Sequence, residues 1–432
     1  MSRDIQIGLL GSGTVGTGVL QIIRDHQKDL AHQVGSGIQV KKVLVRDMNK
    51  YQDIENAGEL LTDKVEDILQ DDDIKVVIEV MGGIDEAKDY IIRALKNKKN
   101  VVTANKDLIA LHGAELVKIA SENSCDLFYE ASVAGGIPII RGLTEGLSSD
   151  RISQMMGIVN GTTNYILTKM SQDGRAYDDV LAEAQALGFA ESDPTSDVEG
   201  LDAARKMAIL ASLGFSMDVE LEDVDVRGIT TVTIDDIKYA EQMGYALKLI
   251  GLAKRDGDRI ELTVQPMLLP AKHPLSSVHD EYNAVYVYGD AIGETMFYGP
   301  GAGSLPTATA VVSDLVTVVK NMKLGVSGRS IVPPLYHKQM KTHDEVQSKY
   351  FIRLHVKDQT GTFAALTSVF AKENVSFEKL MQWPIEHQIA EVAVITHTTT
   401  KSVYERIFAE LEKMDVVVAV KSSYRVEGGN AE

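Results

Sequence analysis

Apolar residues at the start of the chain form a short continuous run followed by a helical stripe. The run at 5–10 is typical of a buried strand. The apolar residues across 19–23 then recur on one helix face. Residues 11–16, GSGTVG, lie between the two. The pattern predicts a strand, a glycine turn and a helix.

The same alternation continues along the first third of the chain. Further β-branched runs lie at 38–47, 75–83 and 100–106, and the segment 90–95 has helical spacing. Strands that alternate with helices pack as a doubly wound parallel sheet, whose ligands bind beyond the carboxyl ends of the strands. The polar residues at 103–106 fall at such an end. We therefore predict an N-terminal Rossmann-like domain.

The end of the chain shows a different order of elements. Pro333, Pro334 and the polar run to Lys349 mark a linker. The βαββαβ order that follows predicts a ferredoxin-like domain, and because it shows no catalytic cluster we expect a regulatory or dimerising role. The predicted strands lie at 350–356, 375–383, 390–396 and 416–420, and the predicted helices at 363–370 and 403–414.

The middle of the chain predicts an α+β domain for substrate binding and dimerisation. Strand-like runs at 260–267 and 284–289 suggest an antiparallel sheet. The glycine-rich turn at 299–304 and the apolar helix at 307–319 either return to complete the first domain or form a hinge. In this α/β protein we expect the Rossmann-like domain at 1–130, completed by about 300–322, and the middle domain at 131–299. A linker at 323–347 then leads to the ferredoxin-like domain at 348–428.

Composition narrows the class of protein. The 432 residues are 44% hydrophobic and 25% charged, which is typical of soluble globular proteins. A net charge of −18 argues against nucleic acid and anionic membranes as partners. The one cysteine, Cys125, excludes an internal disulfide and a thiolate-rich zinc site, and its apolar neighbours predict a buried strand thiol. Since no secretion signal or membrane span is visible, we expect a cytoplasmic location.

The glycine loop is the first candidate for binding chemistry. Gly11 allows the tight turn, Gly13 lets backbone N–H groups approach a pyrophosphate, and Gly16 lets the helix pack on the strand. A glycine-rich turn without a ligand is the alternative. At the end of the second strand, Arg46 suits the 2′-phosphate of NADP, whereas Asp47 suits the 2′-OH of NAD. Arg46 favours NADP, unless it is only a solvated surface residue.

Three turns carry further candidate groups. Lys106 ends a strand and is either an exposed charge or a cofactor and substrate contact. In the turn at 130–138, Glu130 and main-chain carbonyls suit a hard cation, although a simple tight turn explains the spacing as well. The segment 160–164, NGTTN, either caps a helix from Tyr165 onwards or forms a substrate loop.

The acidic stretch at 187–206 is the strongest candidate for catalysis. It carries a loop of carboxylates into a helix whose apolar stripe begins at Leu201. Asp202 and Lys206 are four residues apart and share a helix face. An ordinary surface ion pair is the bland alternative. Because Asp202 adjoins the stripe, we expect a half-buried pair able to relay a proton to or from a substrate hydroxyl.

Taken together, these segments resemble homoserine dehydrogenase with a C-terminal ACT domain. The resemblance covers nearly the whole chain, and we find no departure at the motif positions. Its carriers are GSGTVG at 11–16, TANK at 103–106, YEASVAGGIP at 129–138, NGTTNYIL at 160–167, GFAESDPTSDVEGLDAARK at 188–206 and GPGAG at 299–303.

The resemblance implies NAD(P)-dependent interconversion of L-homoserine and L-aspartate 4-semialdehyde, in threonine, methionine and isoleucine biosynthesis. It implies that Lys206 exchanges the proton, that Asp202 orients Lys206 and with Glu191 holds the amino acid, and that Lys106 lies beside substrate and cofactor. The cofactor contacts implied with the glycine loop are Ser12, Thr14, Val15, Thr103, Gly188 and Gly303. The implied ligands of a monovalent cation, sodium, are Glu130 and the main chain of Val133, Gly135 and Ile137.

The resemblance also implies an amino-acid effector. ACT domains bind amino acids, and L-threonine is the candidate here, near the turn 358–363 at an interface between two such domains. A homodimer through the middle domain, or a homotetramer through the ACT domains, is the expected assembly. Two alternatives remain at this point: a catalytically silent nucleotide-binding sensor of amino acids, and another two-domain dehydrogenase of hydroxy or amino acids.

Overall fold

The computed structural model describes residues 4–51, 57–329, 332–385 and 388–428. The chain folds into two compact units. The first unit is Met1–Ser153, Arg205–Asp223 and Asn283–His337, and the second is Gln154–Ala204, Val224–Tyr282 and Lys338–Glu432. The domain boundaries expected from the sequence divide the chain more finely than this and stay a prediction.

A parallel sheet forms the N-terminal part of the first unit. Its strands are β1 (Ile5–Leu10), β2 (Ile38–Leu44), β3 (Leu61–Thr62), β4 (Ile74–Glu79), β5 (Asn100–Thr103) and β6 (Leu127–Phe128), and the helices are α1 (Thr14–Asp25), α2 (Gln27–Val34), α3 (Ala57–Leu60), α4 (Glu66–Leu69), α5 (Asp85–Lys96), α6 (Lys106–Glu122) and α7 (Ile139–Arg141). The strand order β3-β2-β1-β4-β5-β6 confirms the predicted Rossmann-like sheet. Its direction of winding reverses between β1 and β4, where such sheets bind ligands.

Cys125 is buried as predicted, but it lies in the loop before β6 and not in a strand. Burial raises the pKa of its thiol to about 11.

The strands in the middle of the chain form a second sheet, which we call the central sheet. Its elements are β7 (Ile152–Ile158), α8 (Gly161–Asp173), α9 (Tyr177–Ala186), α10 (Thr195–Val198), α11 (Leu201–Phe215), β8 (Asp225–Val226), α12 (Ile234–Gln242), β9 (Tyr245–Asp256) and β10 (Arg259–Pro270). Within the second unit, β9 pairs antiparallel with both β7 and β10. The predicted strand at 260–267 is therefore confirmed, whereas its long partner β9 was not predicted.

The first unit is completed by β11 (Tyr282–Gly289), β12 (Gly293–Pro300) and α13 (Ser304–Leu324). The buried residues Val311 and Leu315 of α13 share a hydrophobic core with Val19 of α1 and Ile7 of β1. The helix expected at 307–319 thus returns to the parallel sheet.

The C-terminal part consists of β13 (Gln339–Met340), β14 (Gln347–Lys357), α14 (Thr362–Lys372), β15 (Phe377–Pro384), β16 (Ile389–Thr396), β17 (Thr399–Thr400), α15 (Lys401–Leu411) and β18 (Val417–Val426). The sheet order β18-β14-β16-β15 confirms the ferredoxin-like layout. This sheet continues the central one, because Met267 and Leu268 of β10 pair in parallel with Arg425 and Val426 of β18. Among the described residues, no helix is both long and apolar enough to cross a membrane.

Candidate active site

The glycine loop joins β1 to α1 with the geometry that the sequence predicts. Gly11 has a φ of +100°, and a Cβ there would lie 2.8 Å from the Met81 Cα. A Cβ on Gly16 would lie 2.3 Å from the Gly11 carbonyl oxygen, so only glycine permits this approach of helix and strand. A Cβ on Gly13 would meet nothing within 4 Å, which leaves open space above the N-terminus of α1.

This loop fits the pyrophosphate of a dinucleotide. The Ser12 Oγ is buried and has no hydrogen-bond partner among the residues that the structure describes, as expected of a donor that awaits a ligand. The N-terminus of α13 lies beside the loop, because the Ser304 hydroxyl donates to the Thr14 carbonyl over 2.6 Å. Gly303, at the N-cap of α13, adopts a φ of +116°. The N-termini of α1 and α13 therefore lie close to each other, an arrangement that favours an anion.

A buried carboxylate that the sequence did not single out braces the neighbouring strand ends. Glu79 accepts a hydrogen bond from the Thr103 hydroxyl over 2.6 Å and another from the Met81 N–H over 2.9 Å. Burial raises the pKa of Glu79. Asn105 caps α6 and its amide donates to the Gly83 carbonyl over 2.6 Å. These bonds fix the backbone from which Lys106 projects. The Thr103 hydroxyl already donates its hydrogen to Glu79, so it can only accept a hydrogen bond from a cofactor.

The turn at 130–137 is tightly folded against the start of α13. Each oxygen of the Glu130 carboxylate accepts one backbone N–H, from Ile140 and Arg141, both over 2.8 Å. Burial raises the pKa of Glu130. Gly135 has a φ of +52°, and a Cβ there would lie 2.4 Å from the Gly301 carbonyl oxygen. The carboxylate therefore stabilises the short helix α7, and Glu130 is buried.

The NGTTN segment begins a helix four residues earlier than predicted. Asn160 is the N-cap of α8, and its side-chain oxygen accepts from the Thr163 N–H over 2.8 Å. The expectation of a helix from Tyr165 onwards was wrong because the polar residues of its first turn are buried. Capping is confirmed, but it uses only the oxygen of the Asn160 amide.

The amide nitrogen of Asn160 serves the acidic stretch. It donates to the Asp202 Oδ2 over 2.8 Å and to the Asp197 Oδ1 over 2.7 Å. Asp202 is 2% exposed, so its carboxylate is held by a neutral amide away from bulk water. Neutral donation to a buried carboxylate stabilises the charged form without neutralising it. One side chain thus joins the NGTTN segment, the acidic loop and the start of α11.

Asp202 and Lys206 lie one turn apart on α11 and are more buried than the half-buried pair predicted, since Lys206 is 9% exposed. Leu201, however, is 37% exposed, so its place in the buried stripe was wrong. Beside Lys206, Arg205 pairs with Asp107 over 3.1 Å. Asp107 follows Lys106 directly and Arg205 precedes Lys206, so this ion pair joins the two segments that carry the candidate lysines.

Of the other predicted residues, Val133 and Ile137 are buried, whereas three lie at the surface. Glu191 and Gly188 are exposed in the acidic loop, where Gly188 adopts a φ of +79°. The Arg46 side chain is 84% exposed and pairs with Glu86 over 3.1 Å. Within the described residues no cluster of three or more acidic, histidine or cysteine side chains could hold a metal ion. A cation at 130–137 would therefore depend on main-chain oxygens.

A Rossmann-type sheet with an intact dinucleotide loop and a buried lysine near a held carboxylate define the class of protein as an NAD(P)-dependent oxidoreductase.

Comparison with known proteins identifies the family. Residues 138–316 match the family model of homoserine dehydrogenase, residues 11–130 its NAD binding domain, and residues 350–415 the ACT domain. The chain is 59% identical over 428 residues to a homoserine dehydrogenase of Bacillus subtilis, with 99% of both chains covered. A homoserine dehydrogenase of Lactococcus lactis is 42% identical over 397 residues, 91% of this chain and 92% of that one.

Solved structures agree. A crystal structure of a homoserine dehydrogenase from Thiobacillus denitrificans has a TM-score of 0.92 at 38% identity, with 99% of both chains covered. A hyperthermophilic archaeal homoserine dehydrogenase in complex with NADPH has a TM-score of 0.62 at 27% identity and covers 73% of this chain and 97% of its own. The chain belongs to the homoserine dehydrogenase family. It is an oxidoreductase that acts on a CH–OH group with NAD(P) and interconverts L-homoserine and L-aspartate 4-semialdehyde.

Proposed function

We propose that Lys206 exchanges the proton of the reacting oxygen. In the direction of homoserine oxidation, the Lys206 amine accepts the proton of the hydroxyl group. The hydride leaves the carbon that bears this hydroxyl. The nicotinamide, when bound, supplies the hydride acceptor. In the reverse direction the ammonium of Lys206 returns the proton to the aldehyde oxygen. The observation that carries this proposal is the burial of Lys206 one helical turn from Asp202, whose carboxylate Asn160 holds.

The carboxylates around the acidic loop suit the ammonium group of the amino-acid substrate. In this proposal Asp202 and Glu191 accept hydrogen bonds from that group, and Asp202 also orients Lys206. Lys106 projects from the braced end of β5 and supplies positive charge to the substrate and the cofactor. Because Glu191 is exposed while Asp202 is buried, the two differ in role. We expect Glu191 to affect mainly KM and Asp202 to affect kcat as well.

We propose that NADP is the preferred cofactor and that Arg46 contacts its 2′-phosphate. Its guanidinium is exposed after the end of β2, and its acidic partner Glu86 is itself exposed and can be displaced. The remaining cofactor contacts are Gly11, Ser12, Gly13, Thr14, Val15, Gly16, Thr103, Lys106, Gly188 and Gly303. If Arg46 reads the phosphate, Arg46→Ala raises KM for NADP and leaves KM for NAD unchanged.

We propose a sodium ion at the turn formed by Glu130, Val133, Gly135 and Ile137. The donor set is carboxylate and carbonyl oxygen, which suits a hard cation. Each Glu130 oxygen accepts one N–H and keeps a lone pair for a cation. The ion would add a fixed positive charge that holds this turn.

We further propose that L-threonine regulates the enzyme through the ACT domain, that the assembly is a homodimer or homotetramer, and that the enzyme works in the cytoplasm in threonine, methionine and isoleucine biosynthesis. The match of residues 350–415 to the ACT domain supports the regulatory role.

One absorbance experiment tests the function. Purified protein is mixed with L-homoserine and NADP or NAD, with and without L-threonine, and the nicotinamide band is followed. We expect cofactor reduction, faster with NADP at low concentration, and a rate that changes with threonine. Nucleotide binding without reduction would instead favour a silent sensor or another substrate, which a panel of hydroxy and amino acids would identify.

A further inference from the structure

A cavity of about 160 Å³ opens in the second unit, where the edge of β10 changes its partner strand. Thr263 and Val264 of β10 pair with β8, whereas Met267 and Leu268 pair with β18 of the ACT domain. Gln265 and Pro266, between them, belong to neither ladder. The two partner strands therefore diverge here, and the space between them is lined by residues of both the central sheet and the ACT domain.

The charges in the cavity wall are not all balanced. Lys401 pairs with Asp225 over 2.8 Å, and Arg425 pairs with the carboxylates of Glu261 and Glu427. Arg227, by contrast, pairs with no carboxylate in the part of the chain that the structure describes. Its guanidinium donates to the Ser423 carbonyl over 2.9 Å, and its centre lies 5.3 Å from the centroid of the Tyr424 ring.

Two polar atoms behind the wall have no hydrogen-bond partner among the described residues. They are the Tyr350 Oη and the Arg425 Nε, which are buried and belong to residues that line the cavity. Buried polar atoms without partners are rare in proteins and call for an explanation, of which a missing ligand is one. The hydroxyl of Thr263 and the amide of Gln265 add neutral donors and acceptors nearby.

A short backbone path joins this cavity to the proposed catalytic carboxylate. Gly228 follows Arg227, and a Cβ on Gly228 would lie 2.3 Å from the Val198 carbonyl oxygen. The Ile229 N–H donates to that same oxygen over 2.8 Å. Asp197, the residue before Val198, accepts from the Asn160 amide that also holds Asp202. Since Gly228 leaves no free space, a displacement of Arg227 would be transmitted to the acidic loop.

We propose that this cavity binds a small carboxylate and that the ligand is a free α-amino acid. Binding of the ligand displaces the segment 197–200 and thereby changes the position of Asp202. The carboxylate of the ligand pairs with Arg227, and its ammonium shares the Asp225 carboxylate with Lys401. A cavity of about 150 Å³ accepts a benzene molecule, so the space suits an amino acid of the size of threonine but not a nucleotide. This inference rests on the proposed amino-acid regulation, but it assigns the effector to a site within one chain.

Titration calorimetry on the full-length protein tests the proposal. The ligands are L-threonine, L-isoleucine, L-methionine, L-lysine, succinate and inorganic phosphate. We expect one of the amino acids to bind the wild type, and Arg227→Met to weaken it by about tenfold or more, since a charged hydrogen bond is lost. Asp225→Asn should weaken the amino acid but not succinate, which lacks an ammonium group.

Two control variants locate the site. Arg406→Met removes an arginine of the ACT domain that pairs with Glu373 and does not line the cavity, and it should leave binding unchanged. Asp358→Ala changes the turn at 358–363 and should also leave it unchanged. Homoserine oxidation without effector is measured on every sample, so that loss of the catalytic function is recognised separately. Thr263→Val, which keeps the shape of the wall, replaces Arg227→Met if that variant does not fold.

Two results would overturn the proposal. One is that none of the six ligands binds the wild type at about 10 mM, a concentration that would detect a millimolar site. The other is that Asp358→Ala abolishes binding while Arg227→Met retains it, which would place the effector at the turn between ACT domains.

Discussion

Asn160 offers the sharpest test of how the site is held together. Its amide oxygen caps α8, while its amide nitrogen donates to Asp202 and Asp197. The substitution Asn160→Ala removes both functions. Asn160→Asp keeps the cap, because aspartate is a good N-cap residue, but it puts a third carboxylate where the two acids had a donor. The two variants therefore separate the structural role of Asn160 from its positioning of Asp202.

The expected magnitudes follow from these contacts. Loss of the cap costs about 1 kcal/mol of stability. Loss of the hydrogen bond to a charged Asp202 costs about 1.5–3 kcal/mol, and if Asp202 orients Lys206 this cost appears in the transition state, as a fall in kcat/KM of about 10- to 100-fold. In Asn160→Asp, repulsion between like charges raises the pKa of one carboxyl group, so activity should also acquire a new dependence on pH.

The assay is the rate of homoserine oxidation from pH 5 to 9, with the melting temperature of each variant as a check on folding. Thr233→Ala is the matched control, because Thr233 caps α12 in the same unit. Among the described residues, Thr233 forms no hydrogen bond with the acidic loop. The control variant should lose stability and keep its activity. If Asn160→Ala and Asn160→Asp fold and keep wild-type kcat/KM at every pH, the argument that Asn160 positions Asp202 is wrong.

Two further predictions follow from buried titratable groups. Burial raises the pKa of Cys125 to about 11, so at pH 8 about one thiol in a thousand is ionised, and native protein should react with iodoacetamide far more slowly than unfolded protein; equal rates would contradict this. Burial lowers the pKa of Lys248 to about 8. Between pH 8 and 10 the unfolded chain therefore binds more protons at this lysine than the folded chain does. The stability of the wild type relative to Lys248→Met should accordingly rise with pH, by up to about 1.4 kcal/mol per pH unit. Melting temperatures of the two proteins across this range test it, and parallel curves would refute it.

Much of the fold was predictable because it depends on local patterns. Short apolar runs gave β1, β4 and β5, and the alternation of elements from β14 to β18 gave the ferredoxin-like layout. The start of α8 was misplaced because Thr163 and Asn164 are polar yet buried, 1% and 2% exposed, which periodicity cannot anticipate.

The rest depends on pairings between distant segments. β9 was not predicted because it contains Lys248, and a charged residue normally argues against a buried strand. The Lys248 ammonium donates to the Asn164 Oδ1 over 3.0 Å and to the Val278 carbonyl over 2.6 Å. Likewise, Glu79 and Asn160 act through partners 24 and 42 residues away. No motif within one stretch of sequence shows such contacts.

The same limit applies to the candidate site. The Asp202 and Lys206 pair was visible because both residues lie on one helix. The hold of Asn160 on Asp202 was not visible, since it requires the acidic loop to fold back onto the start of α8.

The central claim is that Lys206 carries the proton of the reacting oxygen. Lys206→Ala should lower kcat for homoserine oxidation by about 10²- to 10⁴-fold, the usual contribution of a general acid or base, while NADP affinity measured by fluorescence titration stays unchanged. A Lys206→Ala enzyme that binds NADP normally and keeps a kcat close to that of the wild type would contradict the claim.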